Sequence, residues 1–323
     1  MTKQPDSADT AWPTAPIDIL GVGSVAIDDL LAVETYPPAD AKARVLRRER
    51  QCGGLTGTAL VAAARSGARC GYAGVIGIDE LSDEIARQFQ RVGIDTSWMS
   101  RNPAARVIYS VIVVDDHQTR TIFYDLTGAI GANPLWPPAE SIQSARALYI
   151  DHLDAEMMLR AARIARAAGV AVIADFEYIS SPLFTDLLEL VDHLILPADF
   201  ATQLTGQGDP RAAAQALWSA SRELVAVTCG ARGAWWVGRA APDQPRHQPA
   251  FSVQVVDTTG CGDVFHGAYA AAFTRGLPAQ DRMCYAAAAA ALKATKPGGQ
   301  AGIPTRAEVE AFLADEGRKT EDD

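Results

Sequence analysis

The sequence predicts an α/β fold, a mostly parallel sheet with helices on both faces. Three observations carry that reading. From residue 145 onward, apolar runs at 147–150, 170–175, 193–196 and 224–228 alternate with helical patterns at 156–168, 183–191 and 211–221. Strands apolar throughout and separated by helices are covered on both sides, as in parallel sheets. Residues 17–23, Ile-Asp-Ile-Leu-Gly-Val-Gly, read as one more buried strand ending in glycine. Finally, 323 residues at 48% hydrophobic and 21% charged can fill one large core, with room for a small subdomain.

Taken in order, residues 1–16 are polar and proline-containing, without the apolar core of a signal peptide. They are expected to be a disordered tail. After the first strand come Asp28 and Asp29, then extended segments at 30–36 and 43–51 separated by Pro37 and Pro38. The second segment alternates charged and apolar residues, as a solvent-facing strand does. Gly53 and Gly54 open a small-residue helix over 55–66, closed by Gly67. A strand at 70–77 and an amphipathic helix at 80–91, stopped by Gly93, follow. Segments 106–114 and 119–125 alternate around Asp115, Asp116, His117 and Gln118, which predicts a hairpin. These early strands break the βα rhythm, so they form a small β-layer over the sheet or the edges of that sheet. An alternating run at 251–256 reads as extended and leads to a helix over 264–275. Helices at 279–295 and 305–314 close the domain (17–314), before an acidic tail at 315–323.

The net charge of −10 and the lack of a basic run make nucleic acid and anionic membranes poor partners. The most apolar helical stretch, 286–292, is interrupted by Lys293 well short of a membrane span. Five cysteines, at 52, 70, 229, 261 and 284, show no C-x-x-C spacing and read as reduced thiols in a cytoplasmic protein. The five histidines are likewise dispersed.

Chemistry concentrates at residues 257–265, Asp-Thr-Thr-Gly-Cys-Gly-Asp-Val-Phe. Gly260 and Gly262 bracket Cys261 at a strand-to-helix junction, where glycine lets the backbone turn tightly and approach a ligand. The first amides of a helix lack internal partners and lie at the positive end of its dipole, so they attract anions. Asp263 then stands beside the place where an anion would bind. Either acid alone, Asp257 or Asp263, would read as an ordinary turn or capping residue. The Cys261 thiol is under opposed influences: the helix terminus favours a thiolate and the Asp263 carboxylate opposes it.

The nine-residue string resembles the C-terminal signature of the ribokinase/PfkB carbohydrate kinases, D-T-T-G-A-G-D-x-F, with Cys261 in place of Ala. The resemblance runs from Ile17 to about Leu313. It implies a ribokinase-like three-layer α/β/α sandwich with a small β-sheet lid drawn from about 30–51 and 106–125. In that family the lid closes over the sugar and often forms a homodimer contact. It further implies ATP and Mg²⁺, with Asp263 as general base and the amides of Gly260, Cys261 and Gly262 holding phosphoryl oxygens. Gly53 and Gly54 stand at the family's N-terminal Gly-Gly signature, with Thr58 where a substrate-contacting Asn is usual. Asp28 matches an acid that binds sugar hydroxyls. Thr228, Gly230 and Gly233 match a T-x-G-x-x-G nucleotide segment. The family's N-x-x-E motif is absent; Asp199 is the only acid nearby, either supporting Mg²⁺ or simply complementing a helix dipole. Asp257, with carbonyls around 296–300, falls where some members bind K⁺.

The resemblance thus implies ATP-dependent phosphorylation of a sugar hydroxyl, a primary alcohol of a pentose, hexose or sugar acid. A nucleoside kinase and a non-catalytic sugar or nucleotide sensor are the alternatives within the fold, and an intact Asp263 with its glycines argues against the sensor. A nicotinamide-dependent oxidoreductase would need G-x-G-x-x-G after the first strand. Residues 21–26 supply only the first two glycines.

Overall fold

Period-two alternation sends Ile19, Ala147 and Tyr149 into the core on one face of the central sheet. Leu20, Leu148 and Ile150 go to the other. The computed structural model describes residues 17–116, 119–128 and 135–322, with side chains to residue 317. The tail expected at 1–16 and the hairpin tip at His117 and Gln118 lie outside the described residues.

In chain order the elements are β1 (Ile17–Val22), β2 (Ala26–Ala32), β3 (Arg47–Gly53), α1 (Leu55–Arg65), β4 (Cys70–Tyr72), β5 (Val75–Ile76) and α2 (Glu80–Arg91). Then come β6 (Ser100–Arg101), β7 (Ile108–Val114), β8 (Arg120–Asp125), α3 (Ala139–Gln143), β9 (Ala145–Ile150), α4 (Ala155–Ala168), β10 (Ala171–Asp175) and α5 (Phe184–Glu189). The chain finishes with β11 (His193–Pro197), α6 (Ala198–Thr205), α7 (Pro210–Leu217), β12 (Leu224–Thr228), β13 (Ala234–Gly238), β14 (Arg246–Gln248), α8 (Cys261–Thr274), α9 (Ala279–Ala294) and α10 (Arg306–Asp322).

Eight strands form the central sheet in the order β14-β13-β12-β11-β10-β9-β1-β4. Its members from β12 to β4 are parallel, and β13 and β14 add an antiparallel edge. One apolar core joins the sheet to α1, α2, α8, α9 and α10; the other joins it to α3 through α7. This is the three-layer arrangement. Side-chain caps mark several starts: Asp79 accepts from Ser82 N before α2, and Asp209 from Arg211 N before α7, which opens with Pro210. Gly267 brings α8 against α1, because a Cβ there would lie 2.0 Å from the Ala59 carbonyl oxygen.

The early strands make a separate four-stranded sheet, β3-β2-β7-β8, rather than edges of the main one. Four boundaries depart from expectation. The first strand of this small sheet is Ala26–Ala32, not 30–36, because Asp28 and Asp29 themselves sit in its ladder. The run at 70–77 splits into β4 and β5, which join different sheets. Residues 251–256 lie in no strand, since their alternation finds no neighbour to pair with; the edge place is taken by β14. The last helix continues to Asp322 over the segment expected as a tail, Gly317 being its weakest helix former and costing only about 1 kcal/mol.

Candidate active site

Ligands of open α/β sheets bind outside the carboxyl ends of the strands. Here those ends present Asp151 just after β9, Asp175 at the end of β10, Pro197 at the end of β11 and Thr228 at the end of β12. Asp151 is fully buried. Its Oδ2 accepts from Ser24 N (2.6 Å), Ser24 Oγ (2.7 Å) and Thr56 Oγ1 (2.9 Å). One carboxylate therefore ties the β1–β2 turn to the first turn of α1, which fixes where Gly53 and Gly54 lie.

Gly260 caps α8 at φ +73°, a left-handed conformation that glycine adopts without a Cβ penalty. The helix begins at Cys261 rather than at Val264 as expected, because this cap turns the chain three residues earlier. Cys261, Gly262 and Asp263 thus form its first turn. The Cys261 amide donates to the Thr258 carbonyl (3.2 Å), and among the described residues no acceptor takes the amides of Gly262 or Asp263. An added Cβ at Gly262 would meet nothing within 4 Å, so the approach to these amides is open. Free amides at the positive end of a 14-residue helix suit a phosphate.

Asp263 itself is half-buried, and none of the described residues hydrogen-bonds its carboxylate. Burial, then the nearby charges of Asp175, Glu177, Asp28 and Asp151, push its pKa well above the ordinary carboxylate value. Beneath it, His266 is 3% exposed and meets an acceptor at each ring nitrogen: Gly262 O at Nδ1 (2.8 Å) and Ile195 O at Nε2 (3.0 Å). Asp175 Oδ2 lies 3.3 Å from Nδ1 and also receives the Tyr149 hydroxyl at 3.3 Å. Burial raises the Asp175 carboxyl against the pull of the His266 ring. This group clamps the first turn of α8 to β10 and β11.

The small sheet supplies the opposite wall. Adjacent acids on β2 have opposite fates because successive side chains face opposite sides. Asp29 is gripped by Arg50 through two bonds (2.8 and 2.9 Å), by Arg48 (2.9 Å) and by the Tyr109 hydroxyl (2.7 Å), and its pKa is held far down. Asp28 is pushed up to about 6 by burial, against a hydrogen bond with Ser110 and with help from the Asp29 charge. Its Oδ2 would be 2.2 Å from any Cβ at Gly53, so the carboxylate and the Gly-Gly turn occupy one place. Gln51 stands directly opposite Asp28 in the ladder. Its Oε1 accepts from Gly299 N (2.7 Å), and its Nε2 is buried without a partner. Thr58 is buried under Gly260, its hydroxyl 3.4 Å from the donating Gln300 Nε2. Arg120, at the start of β8, reaches across to Thr259 Oγ1 at 2.7 Å.

Thr228 ends β12 against Pro197, and a single helical turn, Gly230–Arg232, returns the chain to β13. Gly233 is required there, since a Cβ would lie 2.1 Å from the Gln248 carbonyl oxygen of β14. Asp199 is exposed in the first turn of α6, directly after β11. The thiol of Cys261 is not turned towards the free amides: Sγ donates to the Ala290 carbonyl at 3.6 Å. Burial raises its pKa, against the Lys293 charge, and Asp257 and Asp263 add to the rise, so of the two opposed influences the one against the thiolate prevails.

Asp257, expected as a K⁺ ligand, already accepts a hydrogen bond at each of its three oxygens. Its Oδ1 accepts from Thr259 N (2.8 Å), its Oδ2 from Gly298 N (2.8 Å), and its carbonyl from Lys293 Nζ (2.9 Å). Burial works against the carboxylate, yet these amides and the Lys293 charge hold its pKa below the usual range.

A free carboxylate and free amides share one helical turn at the carboxyl edge of a three-layer sandwich. Such a site belongs to a phosphotransferase with an alcohol as acceptor. Comparison with known proteins agrees: the profile of the pfkB family carbohydrate kinases matches residues 17–306, and the chain belongs to that family. Ribokinase of Staphylococcus aureus is 28% identical over 303 residues, covering 89% of this chain and 97% of that one. The Thermotoga maritima ribokinase structure superposes with a TM-score of 0.81 at 25% identity, over 92% of this chain and 99% of that one. Arabidopsis thaliana ribokinase, complexed with ribose and ATP, shares the fold with a TM-score of 0.82 at 22% identity, over 93% and 99% of the two chains. Members of this family phosphorylate sugars with ATP, and this chain is a sugar kinase of that kind.

Proposed function

We propose that the acceptor is a primary hydroxyl of a pentose, hexose or sugar acid, and that Asp263 takes its proton as the oxygen attacks the γ-phosphorus. The observation that carries this is the unpaired, raised Asp263 carboxylate in the same turn as the free amides of Gly262 and Asp263. A raised carboxyl is a better proton acceptor, and amides aimed at the phosphoryl oxygens stabilise charge as it shifts. The turn at Gly260 and Cys261 shapes this loop.

Asp28 and the neighbouring Gln51 amide offer an acceptor and a donor to sugar hydroxyls, with Gly53 and Gly54 giving backbone access and Thr58 supporting the loop from behind. Thr228, Gly230 and Gly233 hold the nucleotide along the β12–β13 turn. Mg²⁺ supplies charge neutralisation on the ATP phosphates. Glu177 and Asp199, which follow β10 and β11, are the acids suited to hold its waters. The edge strand β8 exposes Phe123 (53%) and Tyr124 (66%), which favours a homodimer through the small sheet. Among the described residues no helix is long and apolar enough to cross a membrane. With reduced thiols, that favours the cytoplasm.

The test is ADP release across a panel of sugars and nucleosides with MgATP, repeated with Asp263→Asn. Loss of the base costs roughly 10²–10⁴ in rate while MgATP affinity stays. A variant retaining more than about a tenth of the rate, far above that range, removes Asp263 from the role.

A further inference from the structure

Lys293 interrupts the alanine run of α9, and its side chain is wholly buried. A lysine in the last turn of a helix often does no more than complement the dipole. Lys296, exposed just past the helix end and paired with Glu308 at 3.5 Å, is an ordinary surface charge. Lys293 is different. Its one hydrogen bond goes to a backbone carbonyl, that of Asp257, and no carboxylate forms an ion pair with it among the described residues. Burying an ammonium without a paired carboxylate costs several kcal/mol, and burial lowers its pKa. Cys261, Asp257 and Asp263, all within or beside the anion loop, favour its charge, and Arg120 opposes it.

The Asp257 oxygens that would ligate a monovalent cation are all engaged, two by amides and one by this ammonium. An ammonium and a potassium ion carry the same charge and both sit on carbonyl oxygens. We propose that Lys293 is a positioning residue that acts as a tethered monovalent cation. It fixes the turn from Asp257 to Gly260 and keeps positive potential beneath the anion loop, so the kinase needs no K⁺. This rests on the kinase reading of the same loop.

The experiment compares wild type, Lys293→Ala and Lys293→Met at constant ionic strength in K⁺, NH₄⁺, Na⁺ or tetramethylammonium. Two readouts are taken: sugar-dependent ADP release, and thermal unfolding without substrates. Wild type should show no K⁺-specific change in either. Lys293→Ala should lose roughly 10–100-fold in kcat, as supporting-shell changes do. K⁺ or NH₄⁺ should restore the rate and raise its Tm, whereas Na⁺ and tetramethylammonium should not. Lys293→Met, which fills the space without charge, should lose activity and resist rescue. Activation of wild type by K⁺, or full turnover by Lys293→Met in tetramethylammonium, would overturn the proposal. If Lys293→Ala does not fold, the wild-type and Met arms decide. If wild type turns over no sugar, the acceptor reading fails, and the unfolding data still decide the cation question.

Discussion

Asp28→Asn should make this protein more stable at neutral pH while impairing it as a kinase. The carboxyl rises from 3.8 to about 6, chiefly because burial strips it of water, with Asp29 adding repulsion and Ser110 easing it. A folded-state pKa above the unfolded one means the native protein binds the proton more tightly. The associated stability is complete below pH 3.8 and is lost as pH climbs through about 6. At about 1.4 kcal/mol per tenfold, the strain at pH 8 amounts to about 3 kcal/mol as an upper bound. Asparagine keeps the shape and an acceptor for Ser110, so the variant should recover most of this. Its Tm should exceed that of wild type by several degrees at pH 8, with the gap shrinking steadily towards pH 4. Denaturant melts at several pH values measure it. Equal or lower stability of the variant at pH 8 would show that the carboxylate is not strained. For activity, losing a charged hydrogen-bond acceptor should cost about 1.5–3 kcal/mol in kcat/KM for the sugar, with KM for ATP unchanged.

His266→Leu should destabilise by roughly 1–3 kcal/mol, since it leaves the buried carbonyls of Gly262 and Ile195 without their ring partner; calorimetry showing no loss would refute the clamp. Because Asp263 must be unprotonated to accept a proton, kcat/KM should fall on acidification from a higher pH than for an ordinary carboxylate, and a profile flat down to pH 5 would contradict the raised value. Cys261, buried and bonded to Ala290, should react slowly with iodoacetamide at pH 7, and Cys261→Ala should stay active; rapid alkylation of Cys261 by mass spectrometry would refute the placement.

What was legible in the sequence is local. Gly53, Gly260, Gly262 and Asp263 advertise themselves because tight turns and helix starts are written in consecutive residues. The βα rhythm was legible for the same reason, since period and punctuation need no partner. Asp151, His266, Lys293, Gln51 and Arg120 were not. Each acts through a partner 36 to 248 residues away, such as Ser24, Ile195, Asp257, Gly299 or Thr259. A lysine in an alanine-rich helix reads as a surface charge until the helix is packed. Only the unusual presence of His266 and Lys293 on otherwise apolar helix faces could have flagged them. The alternating run at 251–256 failed for a related reason: alternation states a preference, and a strand also needs a neighbour.

The bonds from Gln51 to Gly299 and from Arg120 to Thr259 join the small sheet to the segment after α9 and the segment before α8. Any movement of that sheet away from the sandwich surrenders both tethers at once. The loop that presents the free amides of Gly262 and Asp263 is therefore braced from the small sheet at two points.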